Sequence, residues 1–158
     1  MQIKFKMTSL FNTSNPDVYK AYVFWSAVLV AKILLMAPLT ALQRFKNKAF
    51  ANPEDASAVS KKLKPKLDDP DVERVRRAHL NDLENILPFF VIGFLYLLTN
   101  PAPFLAINLF RAVAVSRILH TLVYAVVVVP QPARFLAFMG GMVPTVYMTL
   151  QTILYFMI

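Results

Sequence analysis

Residues 21–42 read AYVFWSAVLVAKILLMAPLTAL, 22 positions with a single charge, Lys32. As a helix, such a stretch is long enough to cross a bilayer core of about 30 Å. Pro38, near its end, removes one helical hydrogen bond and loosens the last turns. The composition of the rest agrees with a membrane setting. The chain has 158 residues, 57% of them hydrophobic and only 16% charged. Soluble domains average roughly 45–50% apolar and about 25% charged. There is no Cys, which excludes a disulfide framework, a thiolate zinc site and a cysteine nucleophile. Residues 1–20 are polar and lack the layout of a cleaved signal peptide.

Outward from the first span, residues 44–72 are polar, with Asn-Pro and Asp-Asp-Pro turn chemistry and no sustained apolar face. Asp69 or Asp71 is placed to cap the next helix. That helix starts charged and ends in an apolar run from Ile86 to Leu98. Its early charges must face protein or water. TNPAP (99–103) and PQPAR (130–134) are tight turns. The expected architecture is all-α, a single membrane domain over 1–158. Four helices in an up-down bundle span about 18–43, 72–99, 103–129 and 133–157, with a cytosolic loop over 44–71.

The 17 Lys and Arg outnumber the nine Asp and Glu, for a net charge of +8. Ten of the cations and six of the acids fall between Arg44 and Arg77, and no acid follows Glu84. Arg111, Arg117 and Arg134 thus have no carboxylate partner in their own half. The positive-inside rule places the 44–71 loop and the PQPAR turn in the cytosol and both termini opposite. Asn12-Thr13-Ser14 is then a lumenal glycosylation sequon.

Arg74, Arg77, Asn81 and Glu84 are spaced 3, 4 and 3 apart, so they stack on one helical face. Arg117, His120 and Tyr124 share a face of the third span. Arg44 and Arg134 lie at the same cytosolic ends. A polar pocket in the cytosolic half of the membrane accounts for this convergence, since intramembrane charges face a bundle interior or a watery cavity. Blander readings stand beside it. Glu84 can neutralise Arg77 or Arg117 as a buried pair, His120 can be a core histidine, and the terminal arginines can snorkel to headgroups. One acid cannot satisfy all these arginines, so an external anion is expected, best one with several carboxylates.

Other features read as structural. Lys32 calls for an interior partner, Arg111 for lumenal-side packing, Asp55 for a turn cap. Gly140-Gly141 permits close helix approach. His79 and His120 lack metal-ligand spacing. There is no phosphate-binding glycine loop and no Ser-His-Asp set. The basic loop lacks the interleaved aromatics of a nucleic-acid binder.

The stretch ERVRRAHLNDLENILPF (73–89) resembles the signature of the MAPEG family, the membrane-associated proteins in eicosanoid and glutathione metabolism. KAFANPEDA (48–56), RILHTLVY (117–124) and PQPAR (130–134) are similar to further landmarks of that family, in the same order. The resemblance covers nearly everything after residue 20. It implies a four-helix protomer of a homotrimer, with glutathione as co-substrate bound between subunits in the cytosolic half of the membrane, and no metal. The implied glutathione contacts are Arg44, Arg77, Asn81, Glu84, His120, Tyr124 and Arg134. Arg74 and His79 fall within the same motif.

The implied activity is that of a membrane glutathione transferase, in an insect-like form, acting on hydrophobic electrophiles, with reduction of lipid hydroperoxides as a side reaction. Two alternatives are a glutathione-dependent prostaglandin E synthase and a non-catalytic lipid-binding scaffold. The synthase pattern has Ser and Tyr where this chain has Phe135 and Phe138, and Arg where it has Leu80, which favours the transferase. Arg134 is the candidate for stabilising the glutathione thiolate, the catalytic role. The resemblance implies residence in the endoplasmic reticulum membrane, with the outer mitochondrial membrane as the alternative. Some family members are activated through a loop cysteine, which this chain lacks.

Overall fold

In a computed structural model, residues 15–157 are described and form five α-helices and one π turn. The sequon at Asn12 lies outside the described residues. Helix α1 is Pro16–Asn47, α2 Pro53–Val59, α3 Pro70–Leu97, α4 Pro103–Thr121 and α5 Ala133–Phe156. The π turn, Leu122–Val126, continues α4.

The helix starts follow a common rule. Proline occupies the first turn of α1, α2, α3 and α4, where its missing N–H costs nothing and its fixed φ suits a helix. At α1 the Asn15 side chain accepts from the Asp17 N–H. At α3 the Asp69 carboxylate accepts from the Asp71 and Val72 N–H groups, each at 3.2 Å. Such caps satisfy donors that the first helical turn leaves unpaired. Helix α1 ends where Lys48 adopts a left-handed φ of 51° and its N–H returns to Arg44 and Phe45 carbonyls. At about 1.5 Å per residue, α1 is about 48 Å long and projects beyond the hydrocarbon.

Two local features differ from the sequence reading. The polar 44–72 stretch contains the seven-residue α2, built on Pro53 with Glu54 and Asp55 in its first turn. Those acids favour a helix N-terminus. Asp55 accepts from the Asn52 side chain at 3.0 Å, the local turn role expected of it. The third long helix loses α geometry after Thr121, and the Val127 N–H bonds to the Leu122 carbonyl at 2.8 Å. A π turn widens the helix by one residue and re-aims the side chains on it.

Helix α1 packs on α3 and α4, and α5 packs on α3 and α4. The main core joins Leu29, Ile86, Phe89, Phe110, Val113 and Met148, all buried. The Tyr22 ring lies 5.6 Å from that of Phe110, and its hydroxyl donates to the Phe90 carbonyl. A second cluster of Met36, Val75, Ala78 and Ala125 lies towards the α2 loop. Helix α5 crosses α4 closely: a Cβ at Gly140 would come within 2.5 Å of Ser116 Oγ. That is the close approach expected of the glycine pair.

Among the described residues, three helical stretches are long and apolar enough to cross a membrane: Pro16–Asn47, Pro70–Leu97 and Pro103–Val126. Helix α5 carries no charge after Arg134, but Gly140, Gly141, Pro144 and Gln151 dilute its hydropathy. Large apolar side chains face outward, among them Leu34, Leu35, Val91 and Phe104, which suits lipid contact.

Asp69 also ties the loop to the bundle. Its carboxylate accepts from the Asn47 amide at 2.9 Å and from Lys66 at 3.1 Å. These donors, the Asn47 amide foremost and then the Val72 N–H and Lys66, hold its carboxyl at about 2, below the ordinary 3.8. A depressed folded-state pKa stabilises the fold above the unfolded value, and that stabilisation is lost as pH falls through the folded one. The Tm of the wild type in detergent should therefore exceed that of Asp69→Ala at pH 5. The gap should narrow as pH drops below 3.8 and keep shrinking towards about 2. A gap independent of pH would mean the carboxylate charge contributes nothing.

Candidate functional site

One helical face supplies most of the site. On α3, Arg77, Asn81 and Glu84 recur at intervals of 4 and 3, so they project the same way. His120 lies in the last turn of α4, and Tyr124 lies on the π turn that follows. Arg134 is the second residue of α5. Together these six line one cavity of about 400 Å3, with Leu80, Gln131, Phe135 and Phe138.

The polar groups are held by specific contacts. The Tyr124 ring is the centre of the arrangement. Its hydroxyl accepts from Arg77 Nε at 3.4 Å. The Arg134 guanidinium carbon lies 4.7 Å from its ring centroid, within cation–π range. The His120 ring stands edge-on to it, with centroids 5.6 Å apart. One tyrosine thus places two cations and an imidazole around one space. Gln131 caps the helix that carries Arg134: its Oε1 accepts from the Phe135 N–H at 3.2 Å.

Behind the cavity lies a buried ionic cluster. Asp82 is fully buried and Arg117 is 1% exposed. Arg117 Nη2 donates to Asp82 Oδ1 at 2.7 Å, and Nε donates to the same oxygen at 3.3 Å. Lys32 donates to Asp82 Oδ2, as does Thr121 Oγ1. The cluster pins α1, α3 and α4 together at one depth. It also touches the cavity wall, since Arg117 Nη2 donates to Asn81 Oδ1 at 2.8 Å and lies 3.2 Å from His120 Nδ1.

Of the nine residues singled out in the sequence, Arg77, Asn81, Glu84, His120, Tyr124 and Arg134 share this cavity. Arg44, Arg74 and His79 do not line it. Arg44 sits at the end of α1 and donates to the Ala49 carbonyl at 3.3 Å. Arg74 lies one turn before Arg77, with its Nε buried and without a protein partner. Lys32 finds the interior partner expected of it, and Arg111 is exposed, bonded to Asn108 at 3.1 Å.

Sequence reasoning missed Asp82 and Gln131. Asp82 was legible: Val75, Ala78, Asp82, Ile86 and Phe89 recur at 3, 4, 4 and 3, all buried. An acid inside an apolar stripe requires a buried cation. Glu84, the acid weighed for Arg117, lies exposed on the neighbouring face and lines the cavity. Gln131 gave no signal beyond its place in a turn.

Chemically, the cavity is an anion site with one exception. Arg77 and Arg134 bring two positive charges, and Glu84 brings one carboxylate. Leu80, Phe135 and Phe138 form an apolar side. Such a site suits a small ligand with carboxylates and one cationic group, presented beside an apolar partner.

A helical membrane fold with this cavity defines a membrane protein with a site suited to a small anion. The MAPEG family model matches residues 22–154, and the chain belongs to the MAPEG family, as a multi-pass membrane protein. Microsomal glutathione S-transferase 1 of Homo sapiens is 44% identical over 138 residues, covering 85% of this chain and 88% of its own length. The same transferase of Rattus norvegicus has the same identity and coverage. Prostaglandin E synthase of Bos taurus is 40% identical over 139 residues, covering 88% and 90% of the two chains.

Removing one partner of a buried ion pair leaves an uncompensated charge and costs about 3–5 kcal/mol. Asp82→Asn, which strands Lys32 and Arg117 together, should destabilise the protein by that order, read as a lowered denaturation midpoint in detergent. An unchanged midpoint would show that the two cations do not depend on Asp82.

Proposed function

We propose that the chain is a glutathione S-transferase of membranes, joining the thiol sulfur of glutathione to hydrophobic electrophiles. The supporting observation is the match between cavity and ligand. Glutathione carries two carboxylates and one amine; the cavity carries Arg77, Arg134, Asn81 and His120 as donors and Glu84 as the single carboxylate. Arg pairs well with carboxylates, and Glu84 suits the ammonium.

A free thiol has a pKa near 8.5, and adjacent cations lower it. Arg134, held over the Tyr124 ring, stabilises the thiolate electrostatically. It is no base, because a guanidinium keeps its proton up to about pH 12, so the thiol proton leaves to water. The thiolate then attacks an electrophilic carbon: the S–C bond forms, and the leaving group departs with the bonding electrons. The other contacts fix the position of the sulfur, an orientational contribution. The electrophile approaches from lipid along Leu80, Phe135 and Phe138. Those are the positions where the resemblance separates transferase from prostaglandin synthase, and they favour the transferase. With a lipid hydroperoxide instead, the thiolate and a second glutathione would yield disulfide, alcohol and water.

The same reading gives a single domain whose four long helices form the protomer of a homotrimer. The cavity faces the cytosol in the endoplasmic reticulum membrane or the outer mitochondrial membrane. Arg44, Arg74 and His79 lie off the cavity of the single chain, and we assign them to a site completed across the subunit boundary.

The test is turnover of chlorodinitrobenzene with glutathione by the purified protein in detergent. Conjugate formation is expected. Arg134→Ala should lower kcat about a hundredfold to a thousandfold, in line with the loss of one charge-stabilising donor, while changing the glutathione Kd less. A variant with unchanged kcat would remove Arg134 from the chemistry. A wild type that binds no glutathione would overturn the proposal.

A further inference from the structure

Arg117 touches the cavity only through other residues, yet its contacts determine what those residues offer. A guanidinium has donors and no acceptor. Arg117 Nη2 shares its two hydrogens among Asp82 Oδ1, Asn81 Oδ1 and, at 3.2 Å, His120 Nδ1; a proton on Nδ1 would point straight at this cation, so the ring nitrogen faces it as an acceptor. A neutral imidazole has one accepting and one protonated nitrogen. With Nδ1 accepting, the ring proton sits on Nε2. The same logic applies at Asn81. Its Oδ1 accepts from Arg117 Nη2 at 2.8 Å, which leaves its amide NH2 for the cavity.

Arg117 cannot readily turn away from this task. Two of its nitrogens are engaged by Asp82 Oδ1, and Asp82 is held in turn by Lys32 and Thr121. Three helices thus contribute to the placement of one guanidinium.

We propose that the buried Lys32–Asp82–Arg117 cluster is a positioning device that turns Asn81 and His120 into hydrogen-bond donors. It fixes the Asn81 amide NH2 and the His120 Nε2–H as the groups offered to the ligand. The wall formed by Asn81 and His120 beside Arg77 and Arg134 then recognises acceptor atoms, and Glu84 recognises a donor. Arg117 is a positioning residue, since it acts through its neighbours. The identity of the acceptors, glutathione carboxylates and amide carbonyls, rests on the function proposed above.

The tautomer is read directly by nitrogen-15 NMR of histidine-labelled protein in detergent without glutathione. Two histidines are present, and the signal lost in His120→Gln assigns His120. The expected result is a single tautomer with an unprotonated Nδ1 and a protonated Nε2, which becomes a mixture in Arg117→Lys. A proton on Nδ1, or exchange between tautomers in the wild type, overturns the proposal. Replacement chemistry gives a second readout that a merely structural role would not separate. The glutamine amide reaches the Nε2 position and the asparagine amide only the Nδ1 position. His120→Gln should keep the glutathione Kd within about threefold of the wild type, and His120→Asn should weaken it about tenfold or more, the effect of losing a charged hydrogen bond. Equal losses would contradict the assignment. Because the tautomer is read without ligand, a protein that binds no glutathione would refute the function proposed above while the NMR result still decides this one.

Discussion

A carboxylate at the centre of an apolar helical protein must find cations or remain protonated, and Asp82 finds two. That requirement organises the molecule. Lys32 comes from α1, Arg117 from α4 and Asp82 from α3, so three helices are brought to one register at one depth. In a medium where charge is costly, such a cluster is as strong a constraint on helix alignment as apolar packing. Packing alone tolerates rotation and sliding of similar surfaces; a three-way ionic contact does not. The close crossing at Gly140 and Gly141 then seats α5 against Ser116 and Arg117.

From that fixed point the cavity follows. Arg117 shares its guanidinium between Asp82 on one side and Asn81 and His120 on the other. The π turn after α4 re-aims Tyr124 towards Arg77 and Arg134. A buried, rigid, charged interior thus supports a more open wall whose cations remain available to a ligand. This division suits the proposed chemistry, in which the sulfur must be held at a fixed place beside an apolar entry from the bilayer. The charge that aligns the helices and the charge that would stabilise a thiolate belong to one connected set of side chains.

Much of this was legible in the sequence. Intervals of 3 and 4 placed Arg77, Asn81 and Glu84 together, and likewise His120 with Tyr124, because helical geometry converts spacing into direction. The absence of acids after Glu84 announced that cations of the second half would need partners from elsewhere. Less legible was which acid served which cation. Glu84 and Asp82 are two residues apart, and only the apolar neighbours at 75, 78, 86 and 89 tell that Asp82 faces inward. The π turn was hidden, because LVYAV carries no residue that forbids an α-helix. The short α2 was announced by Asn-Pro followed by two acids, but its lack of an apolar face masked it. Arg74 illustrates a further limit: spacing put it with Arg77, yet one more turn carries it past the cavity.

The most direct test of cation-assisted thiol activation is the ionisation of glutathione held by the protein. The ultraviolet absorbance of the thiolate, followed against pH with protein in excess over glutathione, gives the thiol pKa in the complex. The expected pKa lies well below about 8.5, the value of a free thiol, and returns towards that value in Arg134→Ala. A thiol that titrates in the complex as it does in water would mean that the cations around Tyr124 bind glutathione without activating it, and would rule out thiolate stabilisation by Arg134.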